Sequence, residues 1–157
     1  MKYKTEIKFA VAFFVMTLMW MALERLLGLH STHIDKHATY TNLYAIPSVI
    51  IYVLALREKR GYYHGIMTYG QAFKAGLIMT LFITILSPMA QYITSVYITP
   101  HYFENVINYS VSNGKLTQEQ ALAEFNLQNY LMYSVIGAPI MGLITTAIVS
   151  IFARRSS

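Results

Sequence analysis

Four apolar stretches, about residues 7–29, 40–56, 73–97 and 129–152, constrain this chain more than any other feature. Each approaches or exceeds the roughly 20 residues of helix that cross a hydrocarbon core at about 1.5 Å per residue. A soluble fold could hardly hide them, because 55% of the 157 residues are hydrophobic and 12% charged, against about 25% charged in ordinary soluble domains. The expected fold is all-α: an integral membrane four-helix bundle forming a single transmembrane domain over residues 1–157. Lys2, Lys4 and Lys8 ahead of the first stretch resemble the start of a secretory signal. The apolar core is too long for one, and no small-x-small cleavage site precedes "ERLLG", so the stretch reads as a retained helix.

Charge sets the expected orientation. Lysine and arginine resist translocation when they lie in short loops. Lys2, Lys4, Lys8, Arg57, Lys59, Arg60, Lys74, Arg154 and Arg155 fall on one side, while Lys36 and Lys115 fall on the other with Arg25 near the boundary. Both termini are therefore expected in the cytoplasm, and the net charge of +5 is sorted by membrane side. A single basic face for nucleic acid is not formed. Tyrosines at 40, 44, 62, 63, 92, 97 and 130 mark the interfaces where amphipathic rings collect.

The connections carry helix-start chemistry. Thr68 with Gln71, and Thr117 with Gln120, fit the capping box, in which each side chain satisfies an unpaired backbone N–H of the other's residue. Helix three is expected to begin near Tyr69. Thr99 and Pro100 read as a cap and first-turn proline, and Phe103, Val106, Ile107 and Ser110 share one helical face that Asn113 and Gly114 end. Leu122 and Phe125 give a following helix an apolar edge. The spacing predicts an amphipathic helical hairpin between spans three and four, on the outer side.

Small or slim residues recur every fourth position in two spans: Ala72, Gly76, Thr80, Thr84 and Pro88 in one, Ser134, Ala138, Gly142, Thr146 and Ser150 in the other. Such stripes let backbones approach in lipid, where packing and hydrogen bonds replace water exclusion, so these spans are expected to touch. Pro47 lies near a helix start. Pro88 and Pro139 lie inside helices, where each removes a backbone bond and favours a kink. Neighbouring serine, glutamine and glycine can satisfy the freed carbonyls, and a structural role for these prolines outweighs gating.

The stretch "ERLLGLHSTHIDKHATY" joins an acid and three histidines at the end of span one. If the helix continues outward, His30, His33 and His37 share a face, but His30 and His37 stand about 10.5 Å apart along the axis. That is too far for joint ligation at about 2.1 Å per bond, leaving His33 and His37 as the feasible pair and His30 as a lesser candidate. A further carboxylate could come from Asp35, if the helix breaks, or from Glu104 beside His101. Solvated interfacial histidines are the simpler reading, so no metal ligand, cofactor or catalytic residue is assigned. Adjacent Glu24 and Arg25 face different ways, with Arg25 free to snorkel and Glu24 the inward acid.

Other chemistry is sparse. With no cysteine, disulfides and thiolate sites are excluded, and there is no phosphate-binding glycine loop, HExxH, GxSxG or intramembrane carboxylate pair. Four spans, "MTYGQAFKAG", "ITPHYFENVINY" and "GAPIMGLITTAIVSIFARR" together resemble a bacterial membrane-protein family catalogued as domain of unknown function number 4199, typical of Bacteroidetes. The resemblance implies a four-helix inner-membrane protein and transfers no site residues. The expected role is a multi-pass, non-enzymatic accessory or structural protein of the cell inner membrane, in contact with lipid and a membrane-protein partner or its own copies. A small transporter or metal-handling protein using the outer histidines is the alternative.

Overall fold

A computed structural model describes residues 3–155; Lys2, one of the basic residues assigned to the N-terminal flank, lies outside the described residues. Among the described residues, seven α-helices are arranged in chain order: α1 (Lys4–Leu26), α2 (Ile34–Tyr40), α3 (Ala45–Gly61), α4 (Tyr69–Ile93), α5 (Tyr102–Ser112), α6 (Gln118–Glu124) and α7 (Leu127–Ala153). A 3-10 turn, Thr41–Tyr44, runs α2 into α3, and a π turn, Thr94–Ile98, extends α4. Four helical stretches, Lys4–Leu26, Ile34–Gly61, Tyr69–Ile98 and Leu127–Ala153, are long and apolar enough to cross a membrane. On α1 the exposed side chains include Val11, Val15, Met19 and Leu23, one every fourth residue; Leu81, Ile85 and Met89 do the same on α4 and Ile140, Ile144 and Ile148 on α7. Apolar stripes of this extent suit lipid and not water. The molecule has the surface of a membrane protein.

Two sets of contacts define the ends of the bundle. At the basal end, Lys59 Nζ lies 2.7 Å from buried Glu6, Lys8 pairs with Glu58, and Met67 and Arg155 exchange backbone hydrogen bonds of 3.1 and 2.9 Å. These bring the starts of α1 and α4 to the finishes of α3 and α7. At the distal end, Arg25 donates to the Ile98 carbonyl at 2.6 Å and Asn105 to the His30 carbonyl at 2.9 Å. The apolar core lies towards the basal half, on Ala10, Tyr52, Leu56, Ala72, Met79 and Val149 among others.

α4 and α7 make the most extensive helix contact, as their small-residue stripes predict. Gly76 receives Thr146 and Gly142 receives Thr80: a Cβ at 76 would stand 2.5 Å from Thr146 Cγ2, and one at 142 would stand 2.3 Å from Thr80 Cγ2. Tyr52 of α3 donates to Thr80 at 2.8 Å, and Thr80 in turn donates to the Gly76 carbonyl at 2.9 Å. Pro88 lacks the N–H that would reach the Thr84 carbonyl. The Ser87 hydroxyl lies 2.9 Å from that oxygen and 3.1 Å from the Ser134 carbonyl, so one proton serves the freed carbonyl and the partner helix together.

Both capping boxes form, at Thr68 with Gln71 and at Thr117 with Gln120, and α4 begins at Tyr69. Thr99 is a correction: it does not cap α5. Its hydroxyl and N–H both turn back to the Thr94 carbonyl, at 3.1 and 2.7 Å, closing the π turn, and His101 takes the cap position of α5. Val106, Ile107 and Ser110 form the buried face of α5. On α6 the buried residue is Ala121, whereas Leu122 points outward.

Candidate functional site

The end of α1 at Leu26 sets the path of the chain beyond it. Gly28 adopts φ +73°, the Gly28 N–H reaches the Arg25 carbonyl, and the Leu29 N–H reaches the Glu24 carbonyl, both at 3.0 Å. This is the Schellman arrangement, in which a left-handed residue after the helix satisfies its last carbonyls. Glycine accepts that φ without a Cβ penalty, and a side chain at 28 would also meet Thr32 Oγ1 at 2.4 Å. The chain reverses here, and α2 begins only at Ile34. The continuous helix that kept His30 and His37 far apart along its axis is therefore absent.

The reversal folds His30 and His37 back over Glu24. Glu24 Oε2 lies 3.0 Å from His30 Nε2 and 3.4 Å from His37 Nε2. Glu24 is 1% exposed and His30 6%, while the His37 side chain keeps 22% of its surface. Trp20, one helical turn before Glu24, donates its indole N–H to Glu24 Oε1 at 2.6 Å. Both oxygens of the buried carboxylate thus have partners, as burial of a charge requires. The Nδ1 atom of His30 is buried without a partner among the described residues, so that ring is held through Nε2 alone.

α5 closes the site from the other side. The Tyr102 ring packs 5.2 Å from the His30 ring and 5.3 Å from the His37 ring, measured between centroids. Burial, the neighbouring Tyr130 and the Glu24 charge push the Tyr102 hydroxyl well above the ordinary phenol range, so it stays un-ionised. Asn105, one turn on, holds the His30 carbonyl.

Of the histidines read from sequence, the structure brings together His30 and His37. His33 stands exposed at the start of α2, near Gly28, and is not part of the converging group. Asp35 is exposed, and His101 with Glu104 forms a separate exposed pair at 3.7 Å. Glu24 turns inward and Arg25 outward, as their adjacency requires. Sequence reasoning missed Trp20 and Tyr102; "W-x-x-x-E" on a helix was the available signal for the first, since residues four apart share a face.

A cavity of about 450 Å³ lies between α1, α3, α4 and α7, lined by Phe13, Thr17, Tyr44, Ser48, Ser134 and Gly137 among others. It is mostly apolar, and Thr17 and Tyr44 hydroxyls meet at 2.6 Å on its wall. None of Glu24, His30 and His37 lines it.

The family described as "Protein of unknown function (DUF4199)" matches residues 8–155. The chain belongs to that family. The match takes in all four apolar helices of this DUF4199 protein, short of the first residues of α1, and the whole Glu24 site. No curated protein and no solved structure matches it.

Proposed function

We propose that this DUF4199 protein is a multi-pass protein of the cell inner membrane, with both termini in the cytoplasm, serving as a non-enzymatic accessory or structural subunit. Its surroundings are lipid and either a membrane-protein partner or further copies of itself. The observation that carries this reading is the destination of four hydroxyls between the helices. Tyr52, Thr80 and Thr146 bond one another or the backbone, and Ser87 bonds α4 to α7, so polar groups at membrane depth join helix to helix. Orientation is supported by charge: Lys4, Lys8, Arg57, Lys59, Arg60, Lys74, Arg154 and Arg155 lie at or near the basal end, against Arg25, Lys36 and Lys115 distally.

Because the sequence has no cysteine, single replacements report topology directly. In intact spheroplasts, a membrane-impermeant thiol reagent should label Ser112→Cys at once and Tyr62→Cys only after lysis; the reverse order would overturn the orientation. Once bound detergent is subtracted, mild-detergent extracts of native membranes should hold the chain in a species of protein mass well above 17.9 kDa. A strict monomer under every mild condition would remove the subunit role.

A further inference from the structure

We propose that Glu24, His30 and His37 form a binding site for a divalent transition-metal ion of the zinc class, at the distal end of the bundle. The site does not depend on the accessory role.

Distance is the first argument. Donors about 2.0–2.1 Å from a tetrahedral zinc ion stand about 3.3–3.4 Å from each other. The carboxylate oxygen already lies 3.0 and 3.4 Å from the two imidazole nitrogens, and one donor from each residue lies within 4.8 Å of the others. Receiving an ion therefore asks for tenths of an ångström between carboxylate and imidazole. The larger closure, between the two rings, falls to His37, whose side chain is the least confined of the three.

Charge is the second. Among the described residues, Glu24 makes its ion pairs with the two histidines and with no lysine or arginine, since Arg25 points to Ile98. With both imidazoles neutral, a full negative charge stays buried on hydrogen bonds alone, an expensive state in a medium of low dielectric. A divalent cation at the focus of the three donors supplies the missing countercharge. The other candidate is a proton on one imidazole, which would leave the same three side chains hydrogen-bonded without an ion.

Ligand type is the third. Two imidazoles and one carboxylate suit zinc and its borderline neighbours, whereas magnesium and calcium prefer oxygen donors throughout. Three protein ligands leave a fourth position for water. Of the outer contacts such centres use, Trp20 fixes Oε1, which turns Oε2 towards the rings, and Tyr102 packs on both imidazoles, while His30 Nδ1 has no partner among the described residues. The backbone turn at Gly28 makes the convergence possible, since it closes Glu24 and His30 onto one another across six residues.

The test uses the full chain in mild detergent, purified without a histidine tag, loaded with zinc and desalted before elemental analysis. About one zinc per chain is expected, and cobalt loaded in its place should give the intense visible bands of low-coordinate cobalt. Glu24→Gln and His37→Ala should lose the ion, His33→Ala should retain it, and Trp20→Phe should weaken it by about 10–100-fold. Uptake that is unchanged in Glu24→Gln and His37→Ala, or equally lost in His33→Ala, overturns the proposal. Should the ligand variants fail to fold, the wild-type cobalt titration decides alone: no new visible bands at saturating cobalt overturns the proposal.

Discussion

Replacing Gly142 by alanine adds one methyl group where the structure leaves no room for it. The new Cβ would stand 2.3 Å from Thr80 Cγ2, 2.7 Å from Thr80 Oγ1 and 2.8 Å from the Tyr52 hydroxyl. These atoms belong to two buried, mutually bonded side chains, so relief requires α4 to move away from α7 or Thr80 to leave Tyr52. Overpacking costs about 1–3 kcal/mol, and a weakened interhelical hydrogen bond in a membrane adds roughly 0.6 kcal/mol. The better helix propensity of alanine returns at most about 1 kcal/mol. The net expectation is a loss of about 1–3 kcal/mol, read as an earlier midpoint when the protein is unfolded in mixed micelles of increasing SDS fraction. Gly137 supplies the control on the same helix: nothing lies within 4 Å of its Cβ position, which borders the interhelical cavity, so Gly137→Ala should be neutral or slightly stabilising. Adding Thr80→Ala to Gly142→Ala removes the two nearest colliding atoms, leaving the Tyr52 hydroxyl at 2.8 Å, and should recover part of the loss. Equal stability of the two glycine variants, or no recovery in the double variant, would refute the interlocked packing.

Three further substitutions probe the ends of the bundle. Lys59→Met leaves Glu6, 3% exposed, without its cation and should cost about 3–5 kcal/mol. Lys8→Met, whose partner Glu58 is solvated, should cost no more than about 1 kcal/mol in the same assay; similar losses would contradict the difference in burial. Asn105→Ala cuts the bond from α5 to the His30 carbonyl and should speed amide hydrogen exchange in α5 and residues 28–33 while sparing α4 and α7. Unchanged exchange there would show that Asn105 does not hold the two segments together.

Local chemistry made much of this legible. The capping boxes at Thr68 and Thr117 involve residues three apart, and the α4 and α7 stripes obey a spacing that survives any tertiary arrangement. That Glu24 and Arg25 face different ways followed from about 100° per residue, and the reach of arginine made Glu24 the inward one. The histidine geometry did not, because one dihedral decides it: extending the helix past Gly28 separates His30 from His37, and a positive φ there brings them together. A glycine followed by leucine just beyond the last helical turn was the readable sign of that reversal. Thr99 misled for a related reason, since Thr-Pro is a common helix opening and only the preceding π turn diverts its hydroxyl. The buried pair of Glu6 and Lys59 joins residues far apart in the chain, and no local pattern announces it.

The reciprocal seating of Thr80 at Gly142 and Thr146 at Gly76 also limits how the protein can change shape. Sliding either helix along the other, even by the roughly 1.5 Å rise of one residue, drives threonine side chains into backbone in both directions. The interlock therefore fixes the register of α4 on α7, and the open volume beside it is the cavity against α1 and α3.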